Sequence, residues 1–277
     1  MSSSSTEEQS CQTLDTSKKN IKVELNPRWV RIRVGGETIA DSKGVLTLHE
    51  RGHLPVYYFP ESDVRKDLLI PSLHSTHCPL KGDASYWSIQ VGERVIENAV
   101  WSYLNPIPES KAIQGYYAFY WNKVDQWFEE EEEIFVHPRD PYKRVDAIAS
   151  SRHIQIQLNG VIVADSKRPV IVFETGVPVR YYLPKEDIRE DVLTASSLLT
   201  SCPYKGTASY LNATVEGQLY ENIVWSYLNP IPEIPKIAGL YSFYNERVDA
   251  VFVDGEKEPE PQWYRSALDF FNASEVV

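Results

Sequence analysis

The sequence predicts a mostly β protein made of two tandem copies of one small antiparallel domain, each with one short helix. The nine residues Trp101 to Glu109 return unchanged at Trp225 to Glu233, 124 residues later. Short runs of β-branched and aromatic residues recur between turn-forming dipeptides in both halves. Repetition at one fixed spacing indicates a duplicated domain. We expect the two copies to pack with pseudo-twofold symmetry, as an intramolecular pseudo-dimer.

Composition excludes several classes of protein. The 277 residues are 42% hydrophobic and 24% charged, with a net charge of -11 and a pI near 5.1. This negative charge disfavours nucleic acid as a partner, and no apolar run approaches the roughly 20 residues of a membrane-spanning helix. Three scattered cysteines are too few for a disulfide framework or a four-thiolate zinc site. The sequence therefore predicts a cytoplasmic protein without a membrane partner.

Five segments follow from these patterns. Residues 1–20 are polar without an apolar period and are predicted to form a disordered tail. The first repeat domain spans 21–130, the linker 131–151 and the second repeat domain 152–256, followed by a C-terminal extension at 257–277. The charged segment around the linker begins with five glutamates at positions 129–133. A solvated connector and an acidic docking strip are its two interpretations.

Within each copy the elements are predicted in order from the residue pattern. Trp29 to Val34 and His153 to Leu158 alternate apolar and polar residues before Gly35-Gly36 and Asn159-Gly160, which are typical of hairpin turns. The further strands of the first copy, each with a counterpart 124 residues on, are Thr38 to Ala40, Val45 to Leu48, Val56 to Phe59, Ala84 to Val91, Arg94 to Trp101, Gly115 to Trp121 and Val124 to Phe128.

One short helix is predicted in each copy. Pro60 to Asp63 and Pro184 to Asp187 place proline and acidic residues in a first helical turn. Val64, Leu68 and Leu69 would form its apolar face. Four prolines predict that the intervening segments are loops, namely Pro71, Pro79, Pro106 and Pro108.

Several motifs occur in both copies and resemble a known family. They read Tyr-Tyr-x-Pro-x-x-Asp, Thr-x-Cys-Pro-x-Lys-Gly-x-Ala-x-Tyr, Glu-Asn-x-x-Trp-x-Tyr and Phe-Tyr. This succession resembles the domain-of-unknown-function 427 family, also labelled nucleotidyltransferase-like, in its tandem two-copy form. The resemblance implies a compact, tent-like antiparallel β fold. The chain has neither paired Cys-x-x-Cys motifs for a zinc knuckle nor a P-loop, so we adopt neither a metal nor the nucleotidyltransferase label.

The Thr-x-Cys-Pro-x-Lys-Gly segment is the most specific polar constellation. Its proline and glycine fix a loop that presents a hydroxyl, a thiol and an ammonium group within a few residues. These groups suit contact with an anionic ligand or a thiol nucleophile. The structural alternative is a tight turn with a buried cysteine and a lysine paired to a carboxylate. The residues concerned are Thr76, Cys78 and Lys81, with their counterparts Thr200, Cys202 and Lys205.

A carboxylate and tyrosines on neighbouring strands form a second group. Glu50 with Tyr57 and Tyr58 recurs as Glu174 with Tyr181 and Tyr182. Such groups could line a pocket or act as acid and base, and tyrosines are equally common at the edge of a β core. The second copy has Arg180 where the first has Val56. Because a guanidinium suits carboxylates and phosphates, Arg180 predicts that the second copy is the one competent to bind a ligand.

Apparent metal motifs are interpreted as decoys. His49 to His53 reads H-E-x-x-H, but that zinc site needs a helix, and strand patterns flank this one. The second copy retains only the glutamate. His74, His77 and Asp83 are a looser possibility that the second copy also lacks. No metal and no cofactor are predicted.

These residues lead to three functional hypotheses. The first is binding of a small polar or anionic organic ligand; the others are a metal-independent lyase, isomerase or hydrolase and a scaffolding protein. Candidates for acid and base are Glu174, Lys205, Tyr181, Glu50 and Lys81. An aromatic wall for the ligand and a packed core are both consistent with the tryptophans. The predicted ligand-binding residues are Glu50, Tyr57, Thr76, Cys78, Lys81, Tyr86, Asn98 and Trp101 in the first copy and Glu174, Arg180, Tyr181, Thr200, Cys202, Lys205, Tyr210, Asn222 and Trp225 in the second.

Overall fold

Eleven strands in each repeat account for more than half of the described residues. A computed structural model describes residues 20–261, so most of the predicted tail and C-terminal extension lies outside it. Strands β1–β11 are Ile21–Leu25, Val30–Val34, Glu37–Ser42, Leu46–Glu50, Val56–Pro60, Leu69–Cys78, Gly82–Val91, Arg94–Ser102, Tyr116–Phe119, Gln126–Glu129 and Glu132–Ile134. Strands β12–β22 are Val145–Ala149, Ile154–Leu158, Val161–Ser166, Val170–Glu174, Val177–Tyr182, Leu193–Cys202, Gly206–Val215, Gln218–Ser226, Tyr241–Phe243, Ala250–Val253 and Glu256–Lys257. The prediction of a mostly β, two-copy protein is confirmed.

Each copy contains a large and a small antiparallel system. In the first copy a seven-stranded sheet has the order β1-β4-β5-β9-β8-β7-β6, and a four-stranded sheet has the order β11-β10-β2-β3. In the second copy the large system divides into β12-β15-β16 and β17-β18-β19-β20, joined by the bridge between Leu183 and Tyr241. The small sheet β14-β13-β21-β22 matches that of the first copy. Both copies therefore follow one plan.

The large sheet of the first copy has an apolar cluster on each face. One cluster fills the space toward the small sheet and contains Ile32, Phe59 and Trp127. The second covers the opposite face and contains Tyr58, Tyr86 and Tyr103. Because successive strand residues point to opposite faces, the second face is available to build a site.

The segment predicted to be a solvated connector contains two strands. Within 131–151, β11 pairs with β10, and Ile134 is buried in the first core. Strand β12 pairs with β15 as β1 pairs with β4, and it begins 124 residues after β1. The second copy therefore begins with β12. Sequence reasoning missed this strand because the charged residues before it obscured the short apolar alternation.

The predicted short helix takes the form of 3₁₀ turns. Glu61–Asp63 and Lys66–Leu68 are separated by Val64 and Arg65, and the extended backbone of Val64 bridges to Ala40. The remaining 3₁₀ segments are Pro108–Ile113, Trp121–Lys123, Lys185–Asp187, Glu190–Val192 and Pro235–Ile237.

Strand β6 corrects the prediction of a loop around Pro71. This strand lies at the edge of the sheet, where the missing N–H of a proline leaves no ladder hydrogen bond unmade. No described helix is long and apolar enough to cross a membrane.

A glycine fixes the hairpin turn that carries Lys205. Gly206 has φ of +100°, and an added Cβ would lie 3.3 Å from the carbonyl oxygen of Asn229. Residues with a side chain rarely adopt this backbone conformation. The backbone of Asn229 cannot easily shift to make room for an added Cβ. Gly217 also has a positive φ, of +78°, but open space surrounds its Cβ position.

We expect Gly206→Ala to destabilise the protein by about 2 kcal/mol or more, since it combines a strained φ with a backbone clash. Gly217→Ala is the matched control and should cost about 1 kcal/mol. Urea denaturation of both variants measures the difference. Equal losses would contradict the importance of the close approach to Asn229.

Candidate functional site

The lysine of each hairpin turn forms an ion pair with the glutamate at the end of a neighbouring strand. Lys81 Nζ donates to Glu50 Oε2, and Lys205 Nζ donates to Glu174 Oε2. All four side chains are at most 14% exposed. The sequence proposed these residues for one site, and the structure brings them into contact in both copies.

The backbone of each lysine is held by the repeated Asn-Pro-Ile-Pro segment. Ile107 donates its N–H to the carbonyl oxygen of Lys81 at 3.1 Å, and Ile231 does the same for Lys205 at 3.2 Å. Proline fixes the shape of this segment. The longest identical block of the two copies therefore positions the lysine.

A second lysine contacts the glutamate of the pair in the second copy. Lys143 Nζ lies 2.9 Å from Glu174 Oε1. Burial would raise the pKa of Glu174, but the charges of Lys205 and Lys143, with their hydrogen bonds, outweigh burial and hold that pKa below its ordinary value. Among residues 20–261, the exposed His53 of the first copy lies 3.9 Å from Glu50, while the counterpart of Lys143 at the repeat spacing is Lys19, outside the described residues.

Aromatic side chains cover the face of the large sheet next to this pair. In the second copy the indole N–H of Trp225 donates to the hydroxyl of Tyr182 at 3.1 Å. Burial raises the pKa of Tyr182 well above its ordinary value, and the charge of Glu174 adds to this increase. The corresponding rings of Tyr58 and Trp101 meet edge to face, 6.4 Å apart.

A chain of three hydroxyl groups runs across the same face in each copy. In the first copy Thr76 Oγ1 lies 2.9 Å from the hydroxyl of Tyr86, which lies 3.4 Å from that of Tyr120. The second copy repeats this chain with distances of 2.8 and 3.2 Å, through Thr200, Tyr210 and Tyr244.

The last tyrosine of each chain also packs on the tryptophan. The ring of Tyr120 lies 4.6 Å from that of Trp101, and the ring of Tyr244 lies 4.5 Å from that of Trp225. Sequence analysis did not include Tyr120 or Tyr244 among the site residues. The Phe-Tyr dipeptide shared by both copies was the available signal.

Charged and polar replacements distinguish the second copy. The guanidinium of Arg180 binds both carboxylate oxygens of Glu246, at 2.7 and 2.9 Å. It lies 5.5 Å from the ring centre of Trp225 and 5.8 Å from that of Tyr244. The first copy has Val56 and Asn122 at the positions of Arg180 and Glu246. Arg180 is only 6% exposed, so its charge is held by a carboxylate and two aromatic faces.

Ser242 is a further replacement on this face. It stands where the first copy has Ala118, and it pairs with Trp225 across β19 and β20. The serine is fully buried, and its hydroxyl oxygen has no hydrogen-bond partner among the described residues. A buried hydroxyl without a partner carries a desolvation cost.

Tyr57 and Tyr181 do not belong to this face, contrary to their inclusion among the candidates. Tyr57 packs in the core toward the small sheet and donates its hydroxyl to Glu129 Oε1. Tyr181 lies in the corresponding core of the second copy. Their neighbours Tyr58 and Tyr182 face the candidate site instead, because alternate strand residues point to opposite faces.

The two candidate asparagines have a role in the backbone. Asn98 and Asn222 adopt φ of 49° and 53° where the register of β8 and β19 shifts. Asparagine tolerates this left-handed conformation better than most residues. Their N–H groups donate to the side chains of Ser88 and Asn212. A bulge in the strand therefore accounts for the backbone conformation of both residues, while the side-chain oxygen of Asn98 is buried without a hydrogen-bond partner among the described residues.

The thiols of the two loops have different surroundings. Cys78 packs against the aromatic cluster of the first copy, whereas Cys202 lines a surface hollow. Both are free and partly buried.

The histidines do not assemble a metal site. His49 is 5% exposed and lies 3.1 Å from Glu24 Oε1, whereas His53 follows the strand and its side chain is 68% exposed. His77 binds Asp83 while His74 packs on Tyr86. Within residues 20–261 no group of three metal-binding side chains was found.

Comparison with known families identifies the repeated unit. The model of a family described as a domain of unknown function, DUF427, matches residues 22–130 and 146–254. The chain is a tandem member of the DUF427 family. The start of the second match agrees with β12 as the first strand of the second DUF427 domain. Among curated proteins none matches the chain.

We expect Lys81→Met to destabilise the protein by about 3 kcal/mol, because it leaves the carboxylate of Glu50 largely buried without its ammonium partner. Lys205→Met should cost clearly less than Lys205→Met combined with Lys143→Met, since Lys143 remains beside Glu174 in the single variant. Urea titrations give the unfolding free energies. If Lys205→Met costs as much as the double change, Lys143 does not substitute for the lost lysine.

Glu174 should contribute to a loss of stability in acid. Its pKa is lower in the folded than in the unfolded chain, so its contribution is present above the ordinary value of 4.5 and disappears as the pH falls through the folded pKa. The unfolding free energy of Glu174→Gln should therefore decline less between pH 5 and about pH 3 than that of the original protein. Parallel declines in the two proteins would contradict this linkage.

Proposed function

We propose that this DUF427 protein binds a small polar or anionic organic molecule on the aromatic face of its domains, with the second copy as the competent site. The observation that carries this proposal is the repeated chain of threonine and tyrosine hydroxyls beside a tryptophan. Phenylalanine would pack as well as tyrosine, so hydroxyls retained at both positions suit hydrogen bonding to a ligand. An aromatic wall with a few polar groups is typical of small-molecule sites.

Arg180 supports an anionic ligand in the second copy. Its guanidinium lies beside the ring pair of Trp225 and Tyr244 and donates two hydrogen bonds to the carboxylate of Glu246. This contact has the geometry with which arginine recognises carboxylates. A ligand carboxylate would compete with Glu246, whose side chain is 27% exposed.

The cellular setting and the assembly of the copies belong to the same proposal. The free thiols Cys78 and Cys202 suit the reducing cytoplasm. Contacts of the connecting segment support an intramolecular pseudo-dimer, since Tyr142 binds Glu24 of the first copy and Arg139 binds Glu233 of the second.

Benzoate is a suitable probe, because it combines a planar ring with one carboxylate. We expect benzoate to raise the melting temperature of the protein and neutral benzamide to have a much smaller effect. Arg180→Val combined with Glu246→Asn installs the pair of the first copy, which avoids leaving one charge unpaired. This double variant should fold and lose the response to benzoate.

Arg189→Ala is the matched control because it removes an exposed guanidinium of the same copy, paired with Asp191. It should retain the full response. Native mass spectrometry of the protein purified from its source should also reveal a bound small molecule. A bare protein mass together with no response to benzoate would refute the proposal.

A further inference from the structure

A separate hollow lies beside the loop of the second copy. Its volume is about 510 Å³, within the range of roughly 300–1,000 Å³ typical of small-molecule sites. The hollow lies between the chain that follows β10 and the turn between β17 and β18. Its apolar walls are formed by Ile134, Phe135, Pro203, Ile231 and Pro232.

The charge around this hollow is mainly negative. Glu132, Glu133 and Glu233 contribute carboxylates, whereas Arg139 contributes the one cation of the described lining. Arg139 already binds Glu233 at 3.0 Å, so this pair is internally neutral. Glu132 and Glu133 give the rim a remaining charge that a cation would complement.

Phe135 provides the largest apolar surface. Phe135 is 58% exposed and borders the hollow. An aromatic ring beside carboxylates can contact both the apolar body of a ligand and its cationic group. The equivalent position 124 residues later, Pro259, lacks such a ring.

We propose that this hollow binds a small organic cation, an ammonium group attached to an aromatic or branched aliphatic body. The apolar body contacts Phe135 and Ile231, while the ammonium group lies near Glu132 and Glu133. This site is independent of the aromatic face that contains Arg180. It therefore takes a ligand of opposite charge from the one proposed for that face.

Cys202 provides a direct test because its free thiol lines the hollow. The probe is 2-phenylethylammonium, and neutral 2-phenylethanol is its comparison. Alkylation by iodoacetamide is followed by peptide mass spectrometry at Cys202 and at Cys78 in the same chain. The cation should slow alkylation of Cys202 at least threefold and leave the rate at Cys78 unchanged.

Variants separate the charge from the apolar wall. Glu132→Gln combined with Glu133→Gln should raise the half-protective concentration of the cation about tenfold, since it removes two exposed carboxylates, each of which attracts the ammonium group modestly. Phe135→Ala should weaken protection by both probes. Glu131→Gln is the control, because Glu131 belongs to the same acidic run but pairs with Arg31 instead of lining the hollow.

Two results would overturn the proposal. Absence of protection by 2-phenylethylammonium at millimolar concentration would mean that the hollow is not a site for such cations. Equal half-protective concentrations for the cation and the alcohol would refute selection by charge. Protection of Cys202 should persist when Arg180 and Glu246 are replaced by valine and asparagine. Failure of the anion site is therefore distinguishable from failure of the cation site.

Discussion

The ion pair between a hairpin lysine and a strand-end glutamate fixes the arrangement around the aromatic face in each DUF427 domain. It ties the turn after β6 to the end of β4, and the Lys205 pair does the same for β17 and β15. Such a pair adds little net stability compared with apolar packing, because both charges must leave water. The ion pair instead fixes the position of the turn, since any other position leaves a charge unpaired.

The aromatic face exists because the large sheet has two apolar sides. One side packs against the small sheet and forms the main hydrophobic core of each domain. The other side is covered largely by tyrosine and tryptophan, whose polar atoms need partners when buried. Hydrogen bonds such as Trp225 to Tyr182 meet this need within the protein. At Tyr244, which is partly exposed, the chain of hydroxyl groups reaches the surface.

Sequence reasoning was most successful where periodicity and exact repetition carried the information. The repeat with its constant spacing of 124 residues predicted the two copies and most strands, and the spacing also related Lys81 to Lys205 and Glu50 to Glu174. It could not decide which of two adjacent tyrosines faces the site, because a one-residue shift in strand phase reverses every side chain. Tyr57 was therefore predicted to line the site, whereas Tyr58 is the tyrosine that lies on the aromatic face.

Other features depended on contacts between distant parts of the chain. The link from Lys143 to Glu174 and the link from Arg180 to Glu246 each span dozens of residues. No local pattern encodes such pairs. Asn98 and Asn222 were conspicuous for their repetition, and both adopt a left-handed backbone conformation that asparagine tolerates. Repetition in sequence marked shared structural requirements as readily as shared chemistry.

The short distance in sequence between the two domains has a consequence for recognition. Only residues 135–144 separate β11 from β12, so the copies stay within reach of each other wherever the chain diffuses. For sites tethered this closely, the local concentration of the second is on the order of millimolar. Duplication within one chain therefore keeps the two DUF427 domains in equal number and in proximity, whatever the abundance of the protein.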